Sequence, residues 1–143
     1  IERAATFNQG FATVEYLASA LMDMKLHLAG NADIDPDAFE RETLAALGMP
    51  REIVMRHRTP HFNHVFGSDG YSAGYYSYLW AERLDADAGE WFKENGGLNR
   101  KNGDRFRNMV LSKGGTMDAV QMYRGFRGRD PVIEPLLERR GLN

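Results

Sequence analysis

The sequence contains no cysteine among its 143 residues. Disulfide bonds and thiolate metal sites are therefore excluded, and a reducing compartment fits the composition. No apolar run approaches the roughly 20 residues that are needed to span a bilayer. The formal net charge is only −2 at pH 7, which gives no general attraction to nucleic acid or to anionic membranes. These absences favour a cytoplasmic protein without a membrane or nucleic-acid partner.

The sequence does not begin with methionine. Its first residues are not a signal peptide, because no uninterrupted apolar core follows the first basic residue, Arg3. We therefore interpret Ile1 as an internal position and expect the chain to be part of a longer protein. Its composition, with 43% hydrophobic and 27% charged residues, is sufficient for one compact domain.

The opening segment shows the clearest helical periodicity. Its apolar residues recur at steps of three and four, at Phe7, Phe11, Val14, Leu17, Leu21, Met24 and Leu28. This spacing places them on one face of a helix, which we expect to stop at Gly30.

The rest of the chain also favours helices. Asp35 followed by Pro36 is typical of a helix start, and the segment is predicted to end at Gly48. A short helix is predicted from Pro50 to the residues before Thr59, with Ile53 and Val54 facing inward. Further helices are predicted at about 71–95, 99–113 and 116–127, with Thr116 as a cap, and a last turn or two within 131–143. The predicted fold class is all-α, with one irregular glycine-rich loop at 61–70.

Three tyrosines draw attention next to this loop. Tyr71, Tyr75 and Tyr78 stand at positions i, i+4 and i+7, so on a continuous helix their phenols would form one stripe. Gly70 and Gly74 flank the start of that stripe and make a poor beginning for a helix. A bendable loop that allows a peptide backbone to approach closely is one reason to find them there.

The tyrosine stripe has two interpretations. Tyrosines at helical spacing are most often core or rim residues. A row of phenols beside a histidine can also donate hydrogen bonds to a substrate carbonyl or to a developing oxyanion, since tyrosine is a neutral donor at pH 7.

Three histidines, His57, His61 and His64, suggest a metal site by their spacing. Pro60 interrupts the helix that would bring them together, and no well-spaced carboxylate completes the coordination set. We therefore assign no metal ligand and favour histidines that bind substrate or support the structure. The sequence also contains no HExxH motif, so the chain cannot form the usual metalloprotease centre by itself.

Several stretches resemble the thimet oligopeptidase family of zinc peptidases, and most strongly its bacterial peptidyl-dipeptidases (dipeptidyl carboxypeptidases). The most specific stretches are HFNHVF at 61–66 and GYSAGYYSYLWAE at 70–82. NQGFATVEYL at 8–17, the segment 92–103, RGFRGRDP at 124–131 and RGLN at 140–143 extend the likeness over essentially the whole chain.

This resemblance implies a two-lobed helical peptidase with a deep channel. Residues 1–143 would be the C-terminal helical part of its catalytic domain. Zinc would be held by the HExxH histidines and a downstream glutamate, on helices that precede Ile1. The whole protein would release C-terminal dipeptides from peptides, whereas the isolated fragment would be inactive.

The resemblance also implies roles for individual residues. Tyr78 would stabilise the oxyanion of the tetrahedral intermediate, with Tyr71 as a second catalytic donor. The residues expected to bind the peptide substrate are His64, Tyr75, Gly70, Gly74 and His61.

Two other functions remain open from the sequence. A helical module that binds peptides without hydrolysing them would share the tyrosine-lined surface. RNA binding through the arginine- and glycine-rich segment 124–129 is a weaker alternative, because the whole chain is acidic. We also expect the isolated chain to self-associate, since separation from the upstream lobe would expose apolar faces of the first and fifth helices.

Overall fold

The computed structural model describes residues 2–142, with side chains described from residue 4 onward. Ile1 and Asn143 lie outside the described residues. The interpretation of Ile1 as an internal position and the last residue of the RGLN stretch therefore fall outside them. The α-helices of the described part are α1 (Glu2–Ala5), α2 (Gln9–Leu28), α3 (Pro36–Ala46), α4 (Asn63–Phe66), α5 (Ser77–Glu94), α6 (Arg100–Met109), α7 (Ala119–Arg127) and α8 (Glu134–Arg140). Short 3-10 turns occupy Thr59–His61, Asp69–Tyr71 and Leu111–Lys113.

The all-α prediction is confirmed, because residues 2–142 contain helices and no strand. Within that range, no helix combines the length and the apolar character required to cross a membrane. The chain forms two compact units, which divide between Tyr78 and Leu79. The first unit contains α1 to α4 and the first two residues of α5.

The core of the first unit lies between α2 and α3. Its fully buried members are Ala18, Met22, Leu44 and Met55, and Leu26, Phe39 and Met49 pack against them. Burial of a side chain the size of Leu or Met contributes about 1.5–3 kcal/mol. α3 begins as predicted, because the Asp35 side chain accepts a hydrogen bond from the Ala38 backbone N–H at 2.7 Å.

The predicted apolar face of the opening helix is largely exposed, which agrees with the expectation for the first helix. Asn8 has a left-handed backbone (φ 59°), so the helix breaks there and Phe7 lies outside α2. The large apolar side chains of this segment that remain exposed are Phe7, Phe11, Val14, Leu17, Leu21 and Leu28. The buried residues of α2 lie in its second half, and they include the polar Ser19 and Asp23.

The predicted helix at 50–58 is wrong. A single backbone bond, from the Ile53 N–H to the Pro50 carbonyl (2.9 Å), marks a turn, and Val54 is 59% exposed instead of facing inward. The segment is followed by a tertiary contact to α3. There the Thr59 backbone N–H and hydroxyl both donate to the buried Glu40 carboxylate of α3, at 3.0 Å each.

α5 begins at Ser77, six residues after the predicted start near Tyr71. Tyr71 closes a 3-10 turn, and Ala73 has a positive φ of 55° that is incompatible with a right-handed helix. Turn hydrogen bonds then connect the Gly74 N–H to the Tyr71 carbonyl and the Ser77 N–H to the Gly74 carbonyl, both at 3.0 Å.

The second unit packs around four aromatic rings. Phe126 lies 4.7 Å from Trp91 and 5.2 Å from Phe106, and Phe92 lies 5.7 Å from Phe106, between ring centroids. The helix predicted at 99–113 ends at Met109 and continues as a 3-10 turn.

The prediction that Thr116 caps the next helix is wrong. α7 begins at Ala119, and its cap is Asp118, whose carboxylate accepts from the Gln121 N–H at 2.9 Å.

Candidate functional site

A cleft of about 370 Å³ opens in the first unit. The residues that line it are Tyr16, His57, His61, Phe62, Asn63, His64, Tyr75 and Tyr78. They come from α2, from the turns before and after α4, from α4 itself and from the first turn of α5. Four of the predicted site residues therefore line one cavity: His61, His64, Tyr75 and Tyr78.

Tyr78 and His64 meet directly in this cleft. The Tyr78 hydroxyl lies 3.0 Å from His64 Nε2, within hydrogen-bond distance. Tyr78 is the second residue of α5, and 48% of its surface is exposed. A helix therefore fixes the backbone of this residue, and its half-exposed side chain lines the cleft.

Tyr75 is the packing centre of the aromatic wall. Its ring lies edge-on to Phe62 (5.0 Å), to His64 (5.6 Å) and to Tyr78 (5.5 Å). On its other side it stacks on Tyr16 at 5.3 Å. Such aromatic pairs contribute about 0.5–1.5 kcal/mol each beyond their area. The orientation of Tyr75 is thus coupled to that of both polar side chains of the cleft.

Tyr71 also lies close to His64, but it does not lie on the same helix as Tyr78. Its ring lies 4.8 Å from that of His64, although Tyr71 belongs to the 3-10 turn and does not line the cleft. The prediction of a helical stripe is therefore wrong. The three phenols nevertheless surround His64, because the turns at 69–76 fold the chain back towards α4.

The predicted substrate-binding glycines, Gly70 and Gly74, do not line the cleft. A Cβ atom on Gly74 would lie 3.2 Å from the Tyr71 carbonyl oxygen, which is tighter than ordinary contact. Glycine at this position thus permits the tight turn between Tyr71 and Tyr75. Gly70 has more space, because a Cβ atom there would have the Ser68 hydroxyl oxygen, at 3.7 Å, as its nearest neighbour.

The residue that anchors this turn, Asp23, was not predicted from the sequence. Asp23 of α2 is 0% exposed, and its two carboxylate oxygens accept from the Ala73 N–H (3.0 Å) and the Tyr75 N–H (2.9 Å). A left-handed backbone at a residue such as Ala73 costs about 1–2 kcal/mol, which these bonds help to offset. The sequence feature that could have indicated the role of Asp23 is its position between Met22 and Met24, where an acidic residue interrupts apolar residues of a helix.

The other four cleft residues were not predicted as substrate-binding, and they include Tyr16 and His57. The Tyr16 hydroxyl donates to the Tyr75 backbone carbonyl, and His57 stacks on Phe62 at 5.1 Å. His27 is in the last turn of α2, and its Nδ1 lies 2.8 Å from the Asp23 carboxylate.

The part of the chain that the structure describes offers no ligand set for zinc. Among residues 2–142, no group of three or more His, Asp or Glu side chains is placed to hold a metal ion. His61 and His64 both line the cleft without a neighbouring carboxylate among its lining residues. The described residues therefore do not fit a zinc site, and we derive no step of the chemistry through one.

A second cluster of ionisable side chains lies in the other unit, around Asp87 of α5. Asp87 is 0% exposed and accepts from the Tyr123 hydroxyl at 2.8 Å and from Arg129 at 2.7 and 2.9 Å. Arg127 Nε lies 3.3 Å from the same carboxylate. Burial alone would raise the pKa of Asp87, but the hydrogen bonds from Arg129 and Tyr123 and the charge of Arg127 lower it. Burial and the bond to Asp87 raise the pKa of Tyr123 above its usual range.

These contacts also bear on the arginines of segment 124–129. Arg127 makes a two-pronged bond to Glu94 at 2.7 Å, and Arg124 pairs with Asp130. Arginines that are engaged with carboxylates have less freedom to bind phosphate, so this geometry speaks against the RNA-binding alternative.

Comparisons with known proteins agree with the sequence resemblance. The model of peptidase family M3 matches residues 1–142. The chain is 44% identical to dipeptidyl carboxypeptidase of Escherichia coli, over 100% of its own length and 21% of that protein. It is 37% identical to oligopeptidase A of E. coli, over 97% of the chain and 21% of that protein. A shorter match, 42% identical over 57% of the chain, is to saccharolysin of Saccharomyces cerevisiae, of which it covers 11%.

The chain thus spans about a fifth of the length of the first two relatives. Because the family match extends over all but the last residue, the chain belongs to peptidase family M3.

Proposed function

We propose that this chain is the substrate-binding and transition-state-stabilising part of a zinc-dependent peptidyl-dipeptidase, an enzyme that releases dipeptides from peptide C-termini. The observation that carries the proposal is the meeting of the Tyr78 hydroxyl and His64 Nε2, 3.0 Å apart, in an aromatic cleft. The likeness to dipeptidyl carboxypeptidase over the whole chain supports the same class of reaction.

Tyr78 suits the stabilisation of an oxyanion because its phenol is a neutral donor whose ring is already held. The O–H group carries one proton, which points either at His64 or at a carbonyl oxygen in the cleft. Rotation about the C–O bond exchanges these partners without movement of the ring. A donor of this kind acts most strongly on the charge that develops in the tetrahedral transition state.

The neighbouring groups have supporting roles in this proposal. Tyr71, with its ring 4.8 Å from His64, is the second donor. His64 and His61 hydrogen-bond the substrate backbone, and Tyr75 supplies an apolar wall. Gly70 and Gly74 let the turn that carries Tyr71 approach the bound peptide.

Zinc enters the proposal through residues of a longer protein that lie outside this chain, and when bound it would supply the activated water. We expect the 143 residues alone to hydrolyse no peptide and to bind no stoichiometric zinc. Chelator-sensitive hydrolysis by the isolated chain would contradict this assignment. We place the whole protein in the cytoplasm, a reducing compartment that suits a chain without cysteine.

The rest of the same polypeptide is the proposed partner of the exposed apolar face of α2. The apolar side chains of this helix that remain exposed are Phe11, Val14, Leu17, Leu21 and Leu28. Relatives extend far beyond the matched fifth of their length, which provides the protein surface to cover this face. In isolation, the same face would drive self-association of the chain.

Product analysis of the full-length protein tests the proposal. A peptide of about ten residues is incubated with the protein, and the products are followed by mass spectrometry. Successive loss of two residues from the C-terminus is the expected result. Cleavage only at internal bonds would overturn the dipeptide specificity, and binding without cleavage would support a non-catalytic peptide-binding module instead.

A further inference from the structure

We propose that Asp23 is a positioning residue for the cleft: its buried carboxylate holds the 73–75 segment in the conformation that aims Tyr75 and Tyr78 at His64. This inference rests on the proposed peptidase function. Asp23 does not line the cleft, so its effect on a substrate would be exerted through the backbone it holds.

The carboxylate is matched to this segment at both oxygens. Oδ1 accepts from the Ala73 N–H at 3.0 Å and Oδ2 from the Tyr75 N–H at 2.9 Å. Ala73 has a positive φ of 55°, which an alanine adopts only when its surroundings impose it. Asp23 is 0% exposed, and a hydrogen bond is electrostatically stronger inside a protein than in water. Asp23 is therefore the group that imposes this conformation.

A second side chain of α2 holds the same segment from its carbonyl side. The Tyr16 hydroxyl donates to the Tyr75 carbonyl, and the Tyr16 ring stacks on that of Tyr75. Tyr16 and Asp23 are seven residues apart, which is about two helical turns, so they lie on the same face of α2. The peptide groups on both sides of Tyr75 are thus attached to one rigid helix.

The orientation of Asp23 is itself fixed. His27, one turn further along α2, places Nδ1 2.8 Å from Asp23 Oδ1, and its ring stacks on Phe66 of α4 at 5.5 Å. The carboxylate is therefore held between a histidine of its own helix and the two backbone N–H groups. It has little freedom to rotate away from Ala73 and Tyr75.

The held segment leads directly into the catalytic phenol. The Ser77 N–H bonds to the Gly74 carbonyl at 3.0 Å, and α5 then begins, with Tyr78 as its second residue. The Tyr75 ring also lies against both Tyr78 and His64. A displacement of residues 73–75 would therefore move both members of the polar pair. A misplacement of about 1 Å at a reacting group is sufficient for a hundred-fold loss of rate.

The test is the Asp23→Asn variant of the full-length protein. Asparagine keeps the shape of the side chain but replaces one acceptor oxygen by an NH2 group, which faces a backbone N–H. We expect kcat to fall about ten- to hundred-fold while KM changes less than about three-fold. Hydrogen exchange of the peptides that cover 72–78 should accelerate. An unchanged kcat together with unchanged exchange would overturn the proposal.

Asp87→Asn is the matched control, because Asp87 is also a fully buried helical carboxylate but lies in the second unit. It should lower the temperature of unfolding without changing exchange at 72–78, and kcat below that temperature should stay within about two-fold. An equal loss of kcat in both variants would show a general effect of destabilisation and would overturn the positioning role.

A double variant separates this inference from the proposed function. If Asp23 acts through Tyr78, Asp23→Asn should cost less than about three-fold in kcat when Tyr78→Phe is already present. If the losses of kcat in the two single variants were fully additive in the double variant, Asp23 would not act through Tyr78. A full-length protein without peptidase activity would refute the proposed function, while the exchange measurement would still decide whether Asp23 holds the segment. If Asp23→Asn does not fold, Tyr16→Phe should accelerate the same exchange, and no acceleration there would count against the proposal.

Discussion

The two units of the chain each bury one helical carboxylate completely, and the two carboxylates bind different kinds of partner. Asp23 of the first unit accepts from two backbone N–H groups of a turn, and His27 Nδ1 of the same helix also lies 2.8 Å from it. Asp87 of the second unit accepts from side chains, namely Tyr123, Arg127 and Arg129. Neither carboxylate lines the candidate cleft.

The different partners of Asp23 and Asp87 indicate two different structural roles. A carboxylate that binds backbone N–H groups fixes the path of the chain, and in the first unit that path carries the cleft tyrosines. A carboxylate surrounded by arginines and a phenol compensates charge and ties α5 to α7 and the residues after it. We therefore assign the catalytic geometry to the first unit and expect the Asp87 cluster to act on stability.

The largest stability effect is expected from Asp87→Asn. Removal of the charge takes the carboxylate partner from Arg129, which binds it at 2.7 and 2.9 Å, and leaves Arg127, whose side chain is only 6% exposed, with Glu94 as its ionic partner. Breaking a buried ion pair of this kind costs about 3–5 kcal/mol, so the free energy of unfolding of the chain should fall by about 3 kcal/mol. Denaturant unfolding followed by circular dichroism measures it. Glu52→Gln, at an exposed pair with Arg51, is the control and should change nothing measurable.

A smaller effect on the free energy of unfolding is expected when the pH is lowered. Because the pKa of Asp87 is lowered in the folded state, its ionised form stabilises the fold above the unfolded pKa of about 3.9. That contribution is lost as the pH falls from there through the folded pKa. The stability difference between the wild type and Asp87→Asn should therefore be constant from pH 7 to about pH 5 and shrink below about pH 4. A difference that stays constant down to about pH 2 would contradict the ionised state of Asp87.

The smallest effect on stability is expected from Leu21→Ser on the exposed face of α2. Leu21 is 41% exposed, so the free energy of unfolding should change by no more than about 0.5 kcal/mol. Self-association of the isolated chain, measured by analytical ultracentrifugation, should nevertheless weaken. Val54→Ser, at an exposed apolar residue outside α2, should leave self-association unchanged. Equal weakening in both variants would show that α2 is not the contact surface.

The sequence predicts the helices of this fold better than it predicts their faces. The Asp35 cap and the ends near Gly30, Gly48 and Gly96 follow from local chemistry, and the structure has them where they were expected. The apolar positions of α2 from Phe11 onward were predicted on one helix, whereas Phe7 lies outside it, and periodicity cannot tell which part of a protein covers such a face. The helix predicted at 50–58 is a turn, and the segment ends at a bond from the Thr59 N–H to Glu40, 19 residues earlier, which local sequence patterns do not reveal.

The site was predictable where its residues are chemically conspicuous. His64, Tyr75 and Tyr78 were predicted from their types and from the family resemblance, and they line one cleft, while their roles in binding and catalysis stay predictions. The geometry was not predictable, since the turn at 73–75 depends on Asp23, 50 residues earlier than Ala73. Tyr16 was missed for the same reason, because its partner is a backbone carbonyl 59 residues away.

The central claim is that the Tyr78 hydroxyl acts on the transition state, and steady-state kinetics of Tyr78→Phe in the full-length protein test it most directly. The matched control is Tyr76→Phe, a neighbouring phenol that is 52% exposed and does not line the cleft. We predict that kcat of Tyr78→Phe falls about 100-fold with KM changed less than about three-fold, while Tyr76→Phe keeps the kinetics of the wild type. An unchanged kcat in Tyr78→Phe, or an equal loss in Tyr76→Phe, would contradict the account.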